Sequence, residues 1–113
     1  MTTLYVREFG FNEALSDVEA LDELRFMLDE LIPAIRRCDG INSVRLFSGA
    51  GGIRSQLRLF VDMEDSAGYE RLLLNPEIGR FLKRLYAAWD LKDATQDFLR
   101  EITPEILMAH TGN

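Results

Sequence analysis

The spacing of apolar side chains along this chain switches between every second residue and every third or fourth, and the order of those switches constrains the fold most tightly. Leu4 to Phe9 is short, partly β-branched and aromatic, and ends at Gly10, which predicts a strand. Val18, Leu21, Leu24, Leu28, Leu31, Ile32 and Ile35 recur at helical spacing and predict a long helix with one continuous apolar stripe. Ser16-Asp17-Val18-Glu19 has the pattern of a capping box at its start, where hydroxyl and carboxylate each satisfy a free backbone N–H. Pro33 removes a donor and predicts a bend or break, and Asp39-Gly40 supplies the stop. Ile41 to Ser48 and Ser55 to Met63 alternate as strands around Gly49-Ala50-Gly51-Gly52, a loop whose glycines suit a hairpin. A second helical region opens near Asp65-Ser66 and divides at Asn75-Pro76, since Asn suits an N-cap and Pro the first helical position. Ile78, Phe81, Leu82, Leu85 and Trp89 form its apolar stripe, and Gln96 to Ile102 is the last predicted strand.

The resulting order is strand, helix, strand, strand, helix, strand. This is the α+β, ferredoxin-like βαββαβ arrangement: a four-stranded antiparallel sheet with its helices on one face. A single domain over residues 1–113 is expected, with its core at about 4–102 and a tail at 103–113. Within the strands, Val44, Leu46, Leu57, Leu59, Val61 and Met63 are assigned to the helix side, and Leu4 and Val6 are placed with them. Tyr5, Arg7, Phe9, Arg45, Phe47, Arg58 and Phe60 then share the opposite face. The phase of the last strand stays open, with Phe98, Arg100 and Ile102 on one side and Leu99 and Glu101 on the other.

That face supplies the candidate site. Arg7, Arg45, Arg58 and Arg100, interleaved with Tyr5, Phe47 and Phe60 and joined by Trp89, are the expected ligand-binding residues. Guanidinium forks bind carboxylate or phenolate and stack on rings, so a small anionic or aromatic ligand is expected. The same arginines also suit a solvated or subunit-facing surface paired with carboxylates such as Glu8 and Asp62, each exposed pair worth about 0–1 kcal/mol. A formal charge of −6 argues against nucleic acid and anionic membranes as partners, because both need a positive field. No apolar run approaches the roughly 20 residues of a membrane span, and the N-terminus lacks a secretory signal pattern, so a cytoplasmic location is expected. The single Cys38 sits where a helix dipole disfavours thiolate and reads as structural, and the lone His110 makes no metal site. No metal, cofactor or catalytic residue is assigned.

The element order, the passage from Ile32-Pro33 to Asp39-Gly40-Ile41, and Leu74-Asn75-Pro76-Glu77 opening a helix before Phe81 resemble the dimeric α/β-barrel superfamily over residues 4–102. That group includes antibiotic-biosynthesis-monooxygenase-like and stress-responsive A/B-barrel domains. The resemblance implies a homodimer closing as an α/β barrel, with small molecules held between sheet and helices or within each protomer's half of the barrel. It also implies a range of chemistries, from cofactor-free oxygenation and haem degradation to isomerisation and cyclisation. Haem-degrading members use an Asn, a Trp and a helix-borne His, but no histidine falls in the second helical region here. Cyclase-like members use a His, which no strand of this chain carries, leaving Asp62, Glu101 or water as base. The expectation is a small-molecule enzyme or binding protein, with cofactor-free oxygenation as its chemistry and Tyr5, Trp89 and an arginine stabilising an anionic aromatic intermediate. A non-enzymatic dimerisation or ligand-sensing module is the alternative.

Overall fold

The computed structural model describes residues 2–111. Strand β1 (Thr3–Phe9) leads through a loop to helix α1 (Asp17–Phe26), a π-helical turn at Met27–Leu31, and α2 (Ile32–Arg36). Strands β2 (Ile41–Phe47) and β3 (Leu57–Met63) follow, then α3 (Ala67–Leu74), α4 (Pro76–Ala88), β4 (Thr95–Arg100) and α5 (Pro104–Thr111). The four strands form one open antiparallel sheet in the order β2-β3-β1-β4, the βαββαβ arrangement.

The predicted helix signals act as expected. The Ser16 side chain accepts from Glu19 N at 3.1 Å while Glu19 Oε1 accepts from Ser16 N at 2.9 Å, closing the capping box. Asn75 Oδ1 accepts from the backbone N–H groups of Glu77 and Ile78, and Pro76 opens α4. Gly40 takes a φ of +82° between α2 and β2, and a Cβ there would collide with the Arg71 guanidinium. In the hairpin loop, Gly52 (φ +127°) and Gln56 (φ +56°) take the positive φ values, so one of the two demanding positions falls on a residue other than glycine.

Pro33 acts differently from the expected bend or break. A proline ring strikes the carbonyl four residues before it. The chain responds with the wider π-helical turn, in which Ile32 N–H reaches Met27 O, and the helix then continues. One extra residue per turn rotates everything N-terminal to it by about 100° relative to an unbroken α-helix. The buried stripe therefore runs through Ala20, half-buried Leu24, Met27, Leu31 and Ile35. Val18, Leu21 and Leu28, expected inside, are exposed.

The core lies between the helices and one sheet face. Met27, Leu31 and Ile35 from the first helical stretch and Leu72, Ile78, Leu85 and Ala88 from α3 and α4 join Val44, Leu57, Leu59, Val61 and Met63 in one cluster. Gly68 lets α3 approach the sheet, since a Cβ there would stand 3.0 Å from the Met63 sulfur.

The phase of β1 is the opposite of that expected. Tyr5, Arg7 and Phe9 stand across from Val61, Leu59 and Leu57, so they face the helices, whereas Leu4, Val6 and Glu8 stand across from Asp62, Phe60 and Arg58. Size decides the matter: Phe9 is 1% exposed and stacks on Trp89 at a centroid distance of 4.1 Å, a contact no smaller side chain makes. Gly10 O accepts from Asp90 N, and Phe11 bridges to Trp89, fixing the end of α4 against the end of β1. The last strand's phase is settled by register: Gln96, Phe98 and Arg100 lie opposite Arg7, Tyr5 and Thr3 and share their face.

Candidate functional site

The arginines read as one set divide between two faces. Arg45 and Arg58 lie on the open side with Phe47 and Phe60, while Arg7 points under the helices with Tyr5. Arg100 shares Arg7's face but is separated from it by the Tyr5–Phe98 row, and it lies in a shallow surface cleft with Leu4, Asp62 and Glu101. A single hollow lined by Arg7, Arg45 and Arg58 is therefore ruled out, because one residue's shift in β1 phase moves every side chain of that strand to the other face.

On the open face, Arg58 Nε lies 3.3 Å from Glu8 Oε2, the Arg45 guanidinium sits 4.8 Å from the Phe47 ring centroid, and Phe47 and Phe60 meet edge to face at 5.3 Å. Glu8, Phe47, Gln56, Arg58 and Phe60 border a depression of about 410 Å³, broad and open to solvent. Arg58 has its own carboxylate here, the arrangement expected of a structural rather than a ligand-clamping arginine.

Beneath the helices the chemistry is different. Tyr5, Arg7, Leu59 and Val61 of the sheet, with Leu31, Ile35, Tyr69, Leu72, Ile78, Leu82, Leu85, Tyr86 and Trp89 of the helical layer, enclose a cavity of about 60 Å³. Arg7 Nη1 donates to Gln96 Oε1 at 2.9 Å, and Tyr5 Oη donates to the same oxygen at 3.2 Å. One neutral carbonyl oxygen thus occupies the point where two donors converge. The Arg7 carbon Cζ stands 5.5 Å from the Trp89 ring centroid. Arg7 makes no ion pair among the described residues, and the walls around it offer aliphatic groups, rings and phenols.

Burial pushes the Tyr5 phenol up to about 12, and the Arg7 charge opposes that rise without cancelling it. Tyr5 therefore stays a donor throughout the physiological range. Trp89 is 5% exposed, and its indole Nε1 is buried with no hydrogen-bond partner among the described residues. Among the described residues no carboxylate or imidazole lines the cavity: Asp62 lies on the far sheet face and Glu101 beyond the end of β4. The geometry can hold an anionic or strongly polarised oxygen against a ring.

Tyr5, Arg7 and Trp89 of the candidate set border one cavity, on the helix side of the sheet rather than the expected open face, and Tyr69 and Tyr86 join them there, with Gln96 bonded to Tyr5 and Arg7. Gln96 is near Arg7 only through the β1–β4 register, which no local spacing encodes. Tyr69 packs on Tyr5 at 5.1 Å and on Phe98 at 4.9 Å, a triad that also depends on tertiary pairing.

Solved structures with the same architecture are readily found. An antibiotic biosynthesis monooxygenase superposes with a TM-score of 0.71 and 16% identity, covering 91% of this chain and 100% of that one. SnoaB from Streptomyces nogalater, a cofactor-independent oxygenase, gives 0.67 and 13%, covering 91% and 97%. The chain has the fold of the antibiotic-biosynthesis-monooxygenase-like, ferredoxin-like proteins. A dimeric ferredoxin-like protein of unknown function from Bacteroides fragilis gives 0.71 and 13%, covering 88% and 96%. No protein-family model and no curated protein sequence matches the chain. Among the described residues no helix is long and apolar enough to cross a membrane, and no cluster of His, Cys, Asp or Glu could hold a metal ion.

Proposed function

We propose that this protein works as a homodimer and binds an aromatic anion in the cavity between sheet and helices, oxygenating it without a bound cofactor. The observation that carries the reading is Arg7: a half-buried residue with no carboxylate partner among the described residues, its guanidinium held by a neutral amide and set beside a tryptophan face. A cation taken partly out of water without an opposing charge is costly, so an anion entering beside it is favoured twice, by Coulomb attraction and by hydrogen bonding. The oxygen of such a ligand would replace Gln96 Oε1 between Arg7 and Tyr5.

The architecture shared with two oxygenases supports the chemistry. An electron-rich ring bound as its phenolate or enolate can reduce dioxygen itself. A ring CH₂ beside a conjugated carbonyl becomes C=O, one oxygen atom enters the ring, and the other leaves as water with the two hydrogens. Arg7 would hold the anion, Tyr5 would donate to its oxygen, and the aromatic walls would orient the ring. With no side-chain base in the cavity, the substrate must arrive already deprotonated or lose its proton to water. The cavity of about 60 Å³ is far below the roughly 300–1,000 Å³ of sites for larger ligands, so entry requires Leu73 and Tyr86, both exposed, to swing aside.

The test is a thermal-shift series with benzoate, 1-naphthoate and the corresponding phenols, since a ligand that prefers the native state raises the melting temperature. Arg7→Ala should weaken any hit about tenfold or more, as loss of a charged hydrogen bond does, while Arg58→Ala, on the other face, should leave it unchanged. Equal shifts for wild type and Arg7→Ala would remove the site assignment. Oxygen uptake with a dihydroxynaphthalene in chelator-treated buffer separates catalysis from binding alone; a stabilising ligand consumed at no measurable rate would favour the ligand-sensing alternative.

A further inference from the structure

The two donors of the Arg7 cavity already have an acceptor, and it belongs to the protein itself. Gln96 Oε1 accepts from Arg7 Nη1 at 2.9 Å and from Tyr5 Oη at 3.2 Å, which engages both lone pairs of that carbonyl oxygen. Register sets Gln96 directly opposite Arg7, on the edge strand β4, every residue of which is exposed. Gln96 is not among the residues that border the cavity, so it holds the donors from the sheet edge rather than from the interior. The walls next to those donors are aliphatic and aromatic, and among the described residues none of them carries a carboxylate. A single surface side chain thus engages the two groups on which recognition of an anion depends.

We infer that Gln96 is the specificity-determining residue of this site, a built-in neutral competitor that a ligand must displace and that restricts the site to anions. The inference rests on the binding reading above. Displacement itself meets little resistance: Gln96 is exposed, so its released amide finds water in place of Arg7 and Tyr5. The balance is then decided by the group that takes its place. A neutral carbonyl or hydroxyl exchanges with the glutamine bond for bond and gains nothing from the two donors. An anionic oxygen makes charge-assisted hydrogen bonds roughly twice as strong as neutral ones, and it also compensates the Arg7 charge. The chemistry of residue 96 therefore sets how much a ligand must offer. Leucine, of similar size but without an oxygen, would leave both donors open to any acceptor, whereas glutamate would hold them with a tethered carboxylate.

The experiment pairs isothermal titration calorimetry with melting curves at pH 7 for wild type, Gln96→Leu and Gln96→Glu, using 1-naphthoate and its neutral counterpart 1-naphthamide. Gln96 is exposed, so the fold should tolerate both changes. Wild type should bind 1-naphthoate about tenfold or more tightly than 1-naphthamide. Gln96→Leu should melt lower than wild type, because two donors lose their acceptor, and yet bind 1-naphthoate about three- to tenfold more tightly. Gln96→Glu should melt no lower than wild type and bind 1-naphthoate about tenfold or more weakly. Stability and affinity then move in opposite directions, whereas a purely structural glutamine would lose both together on becoming leucine. Unchanged or weaker 1-naphthoate binding by Gln96→Leu would overturn the competitor role; if Arg7→Ala still weakens that binding, the cavity reading stands. Equal affinity of wild type for the two probes would overturn the restriction to anions. No binding of 1-naphthoate by wild type or either variant would overturn this inference and the cavity reading together.

Discussion

Tyr5 carries the clearest electrostatic signature in the molecule. Its phenol rises from an ordinary value of 10.0 to about 12 on folding, chiefly through burial. For a group whose folded value lies above its unfolded one, the stabilisation is complete below the unfolded value and is lost as pH climbs toward the folded one. Stability should therefore fall between about pH 10 and 12, because only the unfolded chain releases the proton there, by up to roughly 2–3 kcal/mol. Tyr5→Phe removes this contribution, so the difference in melting temperature between wild type and variant should change across that window and stay constant below it. A constant difference at every pH would exclude the assignment. Cys38 is also shifted up, first by desolvation, and its thiol is engaged by Ala34 O and the Asn75 amide. Its reading as a structural residue agrees with that setting. Gln96 is the residue no sequence argument could have found: an exposed glutamine on an edge strand has no distinguishing local pattern, and it matters only because β4 lies beside β1.

At the scale of elements, end signals were legible and phases were less so. Capping at Ser16 and Asn75 depends on neighbours three residues away or fewer, and both caps form as read. Ser16→Ala should cost about 0.5–2 kcal/mol in urea denaturation, and Asn75→Ala a similar amount. Phase fails where one residue is miscounted. In β1 both alternating sets, Leu4 and Val6 or Tyr5, Arg7 and Phe9, contain enough apolar surface to face a core, and only tertiary contact with Trp89 selects the second. Truncation distinguishes the two faces: Phe9→Ala should destabilise by about 3–5 kcal/mol, as for a fully enclosed aromatic. Val6→Ala should cost clearly less in the monomer, because its face lacks the helical layer. In the first helical stretch the π-helical turn introduces the same kind of error, turning Val18 and Leu28 outward in favour of Ala20 and Met27. A period of 3.6 counted straight through residue 30 cannot anticipate a turn that holds one extra residue.

For the whole molecule, the order of elements sufficed to obtain a four-stranded antiparallel sheet and the side on which the helices lie, because few connections join six such segments without crossing. The distribution of arginines over two faces did not follow from that order, and with it the reading of one shared anion-binding face gave way to a small interior cavity beside Arg7 and a separate open face bearing Arg45 and Arg58. The chain also contains a single tryptophan, and it forms part of that cavity's wall. Whatever enters beside Arg7 must alter the surroundings of the one indole in the molecule. Intrinsic fluorescence consequently senses that compartment, and the unlabelled protein can announce its own ligand in a titration cuvette.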